Sequence, residues 1–421
     1  MKSTLNNKVI IFFFRAYNDI DHMTPILYKL HKRHSDIDLE VLIIDLNDDY
    51  KEDFRISFLL KNNIKIKHIV DYLNFPKKIK TVYLKLIKLC DRLGRLNVIR
   101  ILISRLIIKS LQKYLKKKLK RLSCEKLLSD LRKDRKAVLV FDQSYVKLYD
   151  RLCELALQNN IPTVAVPHGH NTFDNELIWV NSMDIEFNSS QVQKPFNFQY
   201  VVFENKIIEQ RYKRLGLLIN SKTVILGSAR FCTEWVYKLR EILPTVTLPE
   251  LSEDTLKIVF MMSKSKYNGH PSEVERTIKY ISQFPNTYLI IKPHTRGMRF
   301  QKEFNNNVKI VSNDFHSPIL IDWADVVLFT MTSVIFDCLK MDKPVIYLKN
   351  THANRLLSER YFTSWQVECR DDIRKLIWRL KNNKASRTYS KKDRDRYCSE
   401  VIEPEGKDVL NNYRSFLVDK F

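Results

Sequence analysis

The chain has 421 residues, 44% of them hydrophobic, with 72 Lys+Arg against 48 Asp+Glu and a net charge of +24. That length accommodates two or three domains of ~100–200 residues each, and the composition excludes disordered, collagenous and disulfide-stapled miniature classes. Seven glycines, with no G-x-G-x-x-G and no GK[ST] string, argue against a glycine-loop nucleotide site. Seven scattered cysteines without a C-x-x-C exclude a zinc module or disulfide framework. Their odd number, and the lack of a signal-peptide pattern at the N-terminus, predict a cytoplasmic protein.

In chain order, Lys8–Phe14 (KVIIFFF) and Leu39–Leu46 read as buried parallel strands. A basic stretch then runs from Lys77 to Lys136, with 21 Lys/Arg against 4 Asp/Glu, a net of +17. Leu84, Ile87, Leu93, Ile99, Leu102, Ile103 and Leu106 recur at helical steps within it, so residues 77–136 are predicted to form a basic helical insertion in the first domain. Arg100, Arg105 and Lys109 interrupt its apolar runs, which stay short of the ~18 residues of a membrane span. Such a helix suits either peripheral contact with an anionic bilayer or a plain solvated face. No nucleic-acid-binding module accompanies the charge, and nucleic acid is not an expected partner.

Beyond the insertion, strands are predicted at Ala137–Phe141, Thr163–Val166, Tyr200–Phe203 and Thr223–Leu226, with helices at Val146–Gln158, Lys206–Leu215 and around Glu234–Trp235. The proline-containing, acidic Pro244–Thr255 is the best linker. The same grammar then restarts, with strands at Lys257–Met261, Tyr288–Ile291, Val308–Val311, Val326–Phe329 and Val345–Leu348 and helices at Glu273–Phe284 and Ser333–Lys340. Alternating strands and helices imply βαβ units and parallel sheets. The expectation is an α/β protein of GT-B architecture: two Rossmann-like domains, residues 1–243 and 256–403, facing a central cleft, with a tail at 404–421 that packs back on the first domain.

In such folds ligands sit at the carboxyl ends of strands, so polar clusters just after strands are the candidates. Pro167-His168-Gly169-His170 offers an imidazole as acid or base, or a mere turn histidine. Gly227-Ser228-Ala229-Arg230-Phe231-Cys232 offers amides, a hydroxyl and a guanidinium to an anion. Cys232 there is either a thiol activated beside Arg230 or, as most lone cysteines are, a small buried residue. Lys292-Pro293-His294, with Ser263-Lys264-Ser265-Lys266 nearby, makes a phosphate grip or an ordinary polar loop. Thr330-Met331-Thr332-Ser333 precedes a helix, where free N–H groups and hydroxyls hold phosphate or simply cap the helix. The strings Asp19-Ile20-Asp21 and Asp36-Ile37-Asp38 are frequent by chance, so no metal is expected.

The order of these clusters resembles the GT-B transferases of bacterial surface polysaccharides. The strand ending in His168-Gly169, the Gly227–Cys232 turn and Lys292-Pro293-His294 carry the resemblance. So do Ala324-Asp325 ahead of Thr332-Ser333 and Asp337, and Lys343-Pro344-Val345. The pattern covers about Asp142 to Leu348, half of the chain. That group includes the CDP-glycerol and CDP-ribitol polymerases and the CMP-Kdo-using β-Kdo transferases, and the chain is most similar to the retaining β-Kdo transferase module of WbbB-type O-antigen enzymes. The resemblance implies that His294 contacts the donor phosphate, although Thr295 stands where the family has proline. It places Thr332 and Ser333 at the phosphate-binding helix start and His168 near the reacting centre. Cys232 falls where the family's turn often ends in Asp, a proposed covalent nucleophile.

The resulting expectation is retaining transfer of Kdo from CMP-Kdo to a lipid-linked glycan acceptor of a bacterial surface polysaccharide, through an adduct at Cys232. His168 would be the acid/base, Arg230 would serve the sugar carboxylate, and Ser263, Lys264, Lys292, His294, Thr332 and Ser333 would hold the donor. No cofactor beyond the donor is expected. The rivals are a CDP-alditol phosphotransferase and a non-catalytic membrane-docking GT-B scaffold.

Overall fold

The structure, a computed structural model, describes residues 7–46, 50–73, 110, 113–119, 122–175, 194–264, 269–294, 304–312, 314–362, 365–384 and 386–421. Most of the basic 77–136 segment, and Ser265 and Lys266, lie outside the described residues.

The first sheet has seven parallel strands in the order β3-β2-β1-β4-β5-β6-β7. These are β1 (Lys8–Phe14), β2 (Ile37–Ile43), β3 (Lys65–His68), β4 (Lys136–Asp142), β5 (Thr163–Val166), β6 (Tyr200–Phe203) and β7 (Lys222–Ile225). β1 shows why an uninterrupted apolar run becomes a central strand. Val9, Ile11 and Phe13 enter the core on one face of the sheet, and Ile10, Phe12 and Phe14 enter the core on the other.

The second sheet is also wholly parallel, in the order β10-β9-β8-β11-β12-β13. Its strands are β8 (Leu256–Met261), β9 (Thr287–Lys292), β10 (Val308–Ile310), β11 (Val326–Phe329), β12 (Val345–Leu348) and β13 (Gln366–Val367). The proline-containing 244–255 segment runs from the helix that ends at Ile242 to β8.

Each sheet reverses its strand order once, between β1 and β4 and between β8 and β11. At such a switch point the connections leave in opposite directions and open a crevice at the strands' carboxyl ends. The two carboxyl edges face each other. Phe54, Phe173 and Arg230, all in segments that follow first-sheet strands, meet His316, Leu356 and Asp337, all in segments that follow second-sheet strands. The ring centroids of Phe54 and His316 are 4.7 Å apart, Phe173 pairs with Leu356, and Arg230 donates to Asp337.

After the second sheet the chain returns. Helix Val409–Val418 contributes Val409, Leu410, Tyr413 and Leu417 to the core on one face of the first sheet, beside Trp235. The crossing is tight at Gly227, whose φ is +86°. A Cβ there would lie 2.9 Å from the Ile402 carbonyl oxygen and from Val409 Cγ2, so glycine is required. Ser228 N donates to Ile402 O at 2.7 Å, and Tyr413 Oη donates to Gly227 O at 3.0 Å.

Leu410 is 1% exposed. Leu410→Ala should therefore destabilise the N-terminal domain by about 2–5 kcal/mol. Urea unfolding followed by the fluorescence of Trp235, buried on the same face, measures this; an unchanged midpoint would mean that the last helix is not part of that core.

Candidate functional site

The switch point of the first sheet carries a dense polar cluster. Arg15 is the first residue after β1, Asp142 the last of β4, and His168 the second after β5. Asp19 belongs to helix Tyr17–Arg33 and caps its start, with Oδ2 accepting from Arg15 N at 2.7 Å and Ala16 N at 2.9 Å. The other oxygen, Oδ1, lies 2.6 Å from His168 Nδ1, and the same nitrogen is 3.1 Å from Asp142 Oδ2. Tyr149 Oη donates to Asp142 Oδ1 at 2.8 Å. Arg15 Nη2 donates to Asp142 Oδ2 at 3.0 Å and to Ser144 Oγ at 2.8 Å. It is also 3.3 and 3.4 Å from the two ring nitrogens of His168, equally close to both and so aimed at neither lone pair.

These contacts set the charges. Burial by itself would lower the His168 pKa, but its hydrogen bonds to Asp142 and Asp19 outweigh that and hold it up at about 9. Burial works against the Asp142 carboxylate, yet His168 and Arg15 keep it ionised and well below the usual range. Asp19 is pushed up by burial, which its bond to His168 offsets only in part. Both carboxylates are fully buried, while the His168 and Arg15 side chains are each 32% exposed, so only these two reach the cleft. The arrangement is a histidine oriented and charged from behind by two carboxylates, open to a ligand in front.

Asp19, Asp142 and His168 also place three donor atoms within 4.8 Å of one another. In the structure these atoms are engaged with one another and with Arg15, which pairs with Asp142.

The second switch point lies across the cleft. Ser263 follows β8 and Thr330 follows β11. Thr330 Oγ1 accepts from Ser263 N at 3.1 Å and donates to Ser263 Oγ at 2.9 Å, joining the two loops. A cavity of about 30 Å³ opens beside them, lined by Met262, Gly269, His270, Met331 and Thr351 among others. Lys292 ends β9, and its Nζ donates to Ser312 O at 3.0 Å; burial lowers its pKa to about 8. Lys264 and His294 are half-buried on the same carboxyl edge. Thr332 Oγ1 lies 3.4 Å from Val334 N, and Ser333 opens the short helix Val334–Lys340 without a side-chain cap bond.

The Gly227–Cys232 turn is not the open anion site that its residue types suggest. Its Ser228 amide is taken by Ile402, and Thr233 N donates to Glu403 Oε1 at 2.8 Å. Arg230 is buried and already paired. Nε is 2.8 Å from Asp21 Oδ2, and Nη1 and Nη2 are 3.1 and 3.2 Å from the two oxygens of Asp337. It is therefore a bridge between the domains rather than a free guanidinium for a sugar carboxylate. Cys232 has no exposure, its Sγ sits 3.3 Å from Ala229 O, and burial pushes its pKa up to about 12. A thiol in that state is neither ionised nor accessible at neutral pH, which corrects its expected role as nucleophile.

His170, two residues beyond His168, faces the interior between Phe231 and Phe336, and burial lowers its pKa to about 3. Among the described residues neither of its ring nitrogens has a hydrogen-bond partner. Arg15, Asp19 and Asp142 are absent from the sequence-derived catalytic set, although each lies within a few residues of a strand's carboxyl end. Of the two D-x-D strings, Asp36-Ile37-Asp38 lies at the start of β2, away from the cleft, where Asp38 pairs with Arg135.

Titration of His168 by NMR should give a midpoint near 9, moving towards the ordinary 6.5 in Asp142→Asn. Because the folded value is raised, this group's contribution to stability is whole below pH ~6.5 and is lost as the pH rises through about 9. A midpoint near 6.5 in the wild type would remove the pairing. A thiol reagent at neutral pH should label Cys369, which is exposed, and leave Cys232 untouched until the protein is denatured.

No protein-family model matches the chain, and no curated protein matches it in sequence. Among solved structures it is similar to UDP-GlcNAc 2-epimerase from Neisseria meningitidis bound to UDP-GlcNAc, at 13% identity over 98% of this chain and 99% of that chain, with a TM-score of 0.52. It is also similar to HepE from Anabaena in complex with UDP-glucose, at 12% identity over 98% and 99%, with a TM-score of 0.49. At such identities a likeness speaks for the fold alone, and the fold is α/β, two-domain and GT-B-like.

Proposed function

We propose that the protein transfers a glycosyl group from a nucleotide sugar to a hydroxyl acceptor, with His168 as the proton acceptor. The observation that carries this reading is the partly exposed imidazole held by two buried carboxylates at the β1/β4 switch point. An imidazole tied to carboxylates through Nδ1 takes a hydroxyl proton on its other nitrogen only in its neutral form, which a pKa of about 9 makes the minor form at neutral pH, and the negative charge behind it stabilises the imidazolium that forms. Ser263, Lys264, Lys292, His294, Thr332 and Ser333 would neutralise the donor phosphate from the other side, without a metal ion. The similarly folded epimerase that was solved with UDP-GlcNAc bound supports a nucleotide-sugar ligand.

For the donor we propose CMP-Kdo, on the order of motifs between Asp142 and Leu348, and for the acceptor a glycan of a bacterial surface polysaccharide. Double displacement through Cys232 is not part of the proposal, because the thiol is buried.

The test is to incubate the protein separately with CMP-Kdo, CDP-glycerol, UDP-GlcNAc and UDP-glucose, with a glycan acceptor, and to follow nucleotide release and product mass. Release of CMP from CMP-Kdo, lost by more than about 100-fold in His168→Ala, is the expected result. For a base with a pKa of about 9, kcat/KM should rise ~10-fold per pH unit up to that value. Turnover of CDP-glycerol alone would favour an alditol phosphotransferase. Conversion of UDP-GlcNAc to its 2-epimer would make the protein an isomerase. No nucleotide binding would leave a scaffold.

A further inference from the structure

We propose that the outer face of helix Arg370–Asn382 is a docking surface for an anionic lipid bilayer. The inference stands apart from the reaction in the cleft. The helix turns Ile373, Ile377 and Leu380 into the core of the second sheet. Its flank carries Trp378, 69% exposed, and an open depression is lined by Trp378 with Arg374, Lys375 and Arg379. Arg374 and Lys375 stand four and three residues before the indole, so all three side chains share one stripe of the helix. The Asp371 and Asp372 carboxylates lie 3.4 and 3.9 Å from Arg374 and Lys375, but these pairs are solvent-exposed and hold the cations only weakly.

Charge distribution supplies the independent argument. Residues 370–396 contain 11 Lys/Arg against 4 Asp/Glu, a net of +7. Residues 77–136 contribute +17, and subtracting both from +24 leaves zero for the rest of the chain. Positive charge kept only for solubility would be spread over the surface; here the net excess lies in two segments, and in the second Arg374, Lys375 and Arg379 surround Trp378 while Lys384, Arg387 and Arg394 pair with Asp325 and Asp342. An indole amid cations is the chemistry of the membrane interface, where the ring inserts at headgroup depth and the cations meet anionic headgroups. Single-stranded nucleic acid would instead require a groove with several stacked aromatic rings, and Trp378 is the one exposed large aromatic of this helix.

The experiment is co-sedimentation of the full chain with vesicles of phosphatidylcholine alone and of phosphatidylcholine mixed with phosphatidylglycerol. It uses the wild type, Trp378→Ala and the double variant Arg374→Glu/Lys375→Glu. Binding only to the anionic vesicles is expected, weakened about tenfold or more in each variant. Quenching of indole fluorescence by brominated lipid should be present in the wild type and reduced in Trp378→Phe. Because the substituted side chains are exposed, circular dichroism should be unchanged. Absence of binding to anionic vesicles would overturn the proposal. So would binding that both variants retain within about twofold, which would place the contact elsewhere, or tighter binding to a single-stranded oligonucleotide than to vesicles.

Discussion

Arg230 is the side chain on which the arrangement of the two domains depends. Its guanidinium is out of water and needs negative partners on both edges. Asp21 supplies one from the first domain and Asp337 the other from the second. Asp21 in turn accepts from Arg55 Nη1 at 2.7 Å, and Arg55 also pairs with Asp53 at 2.6 Å. A buried ion network adds little net stability over a well-packed apolar equivalent, but breaking it by removing one partner costs about 3–5 kcal/mol. The first domain alone would leave part of the Arg230 guanidinium unpaired, and the second alone would leave Asp337 without a cation. Only the closed arrangement satisfies both, so the network selects one orientation among the many that apolar contact between domains would allow. Asp21 is two residues from Asp19, which ties the helix start holding His168 to the same bridge.

Much of this architecture is legible in the sequence because its strands are buried on both faces. KVIIFFF, the apolar run at 137–141, TVAV, VVLF and VIYL are apolar strings with at most one polar residue at the start. Of the four edge strands, β7 and β10 are legible and β3 and β13 are not. KIKH at Lys65–His68 covers one flank of the sheet, needs no continuous apolar pattern, and looks like any polar loop. His168 stands out as a histidine after a strand, whereas Arg15 and Asp142 obey the same rule and escape notice as single charged residues in a charged chain.

Proximity along the chain misleads at two places for one physical reason. Asp19-Ile20-Asp21 reads as one unit in the sequence, yet on a helix residues two apart point about 200° from each other. Asp19 accordingly joins the His168 cluster and Asp21 the Arg230 bridge. Cys232 lies two residues from Arg230, and proximity in the chain suggests an activated thiol. The guanidinium points towards Asp21 and Asp337, while the thiol packs in an apolar core, so the charge that was to lower its pKa is spent elsewhere. Which partner a charged group faces is a property of tertiary structure, and no spacing rule within one segment contains it.

The returning C-terminal helix has a consequence for biosynthesis. The first sheet is complete in its strands at Ile225, but the strip of one face that Val409, Leu410, Tyr413 and Leu417 cover stays bare until Val418 has been made. That interval is 193 residues, from 225 to 418. At ~5–20 residues per second a ribosome needs roughly 10–40 s to add them. During that time a strip of sheet beside Trp235 waits as exposed apolar surface, long after the residues that form it have left the ribosome. The nascent chain is then open to chaperones and to unwanted association, and the rate of translation through the second domain determines how long.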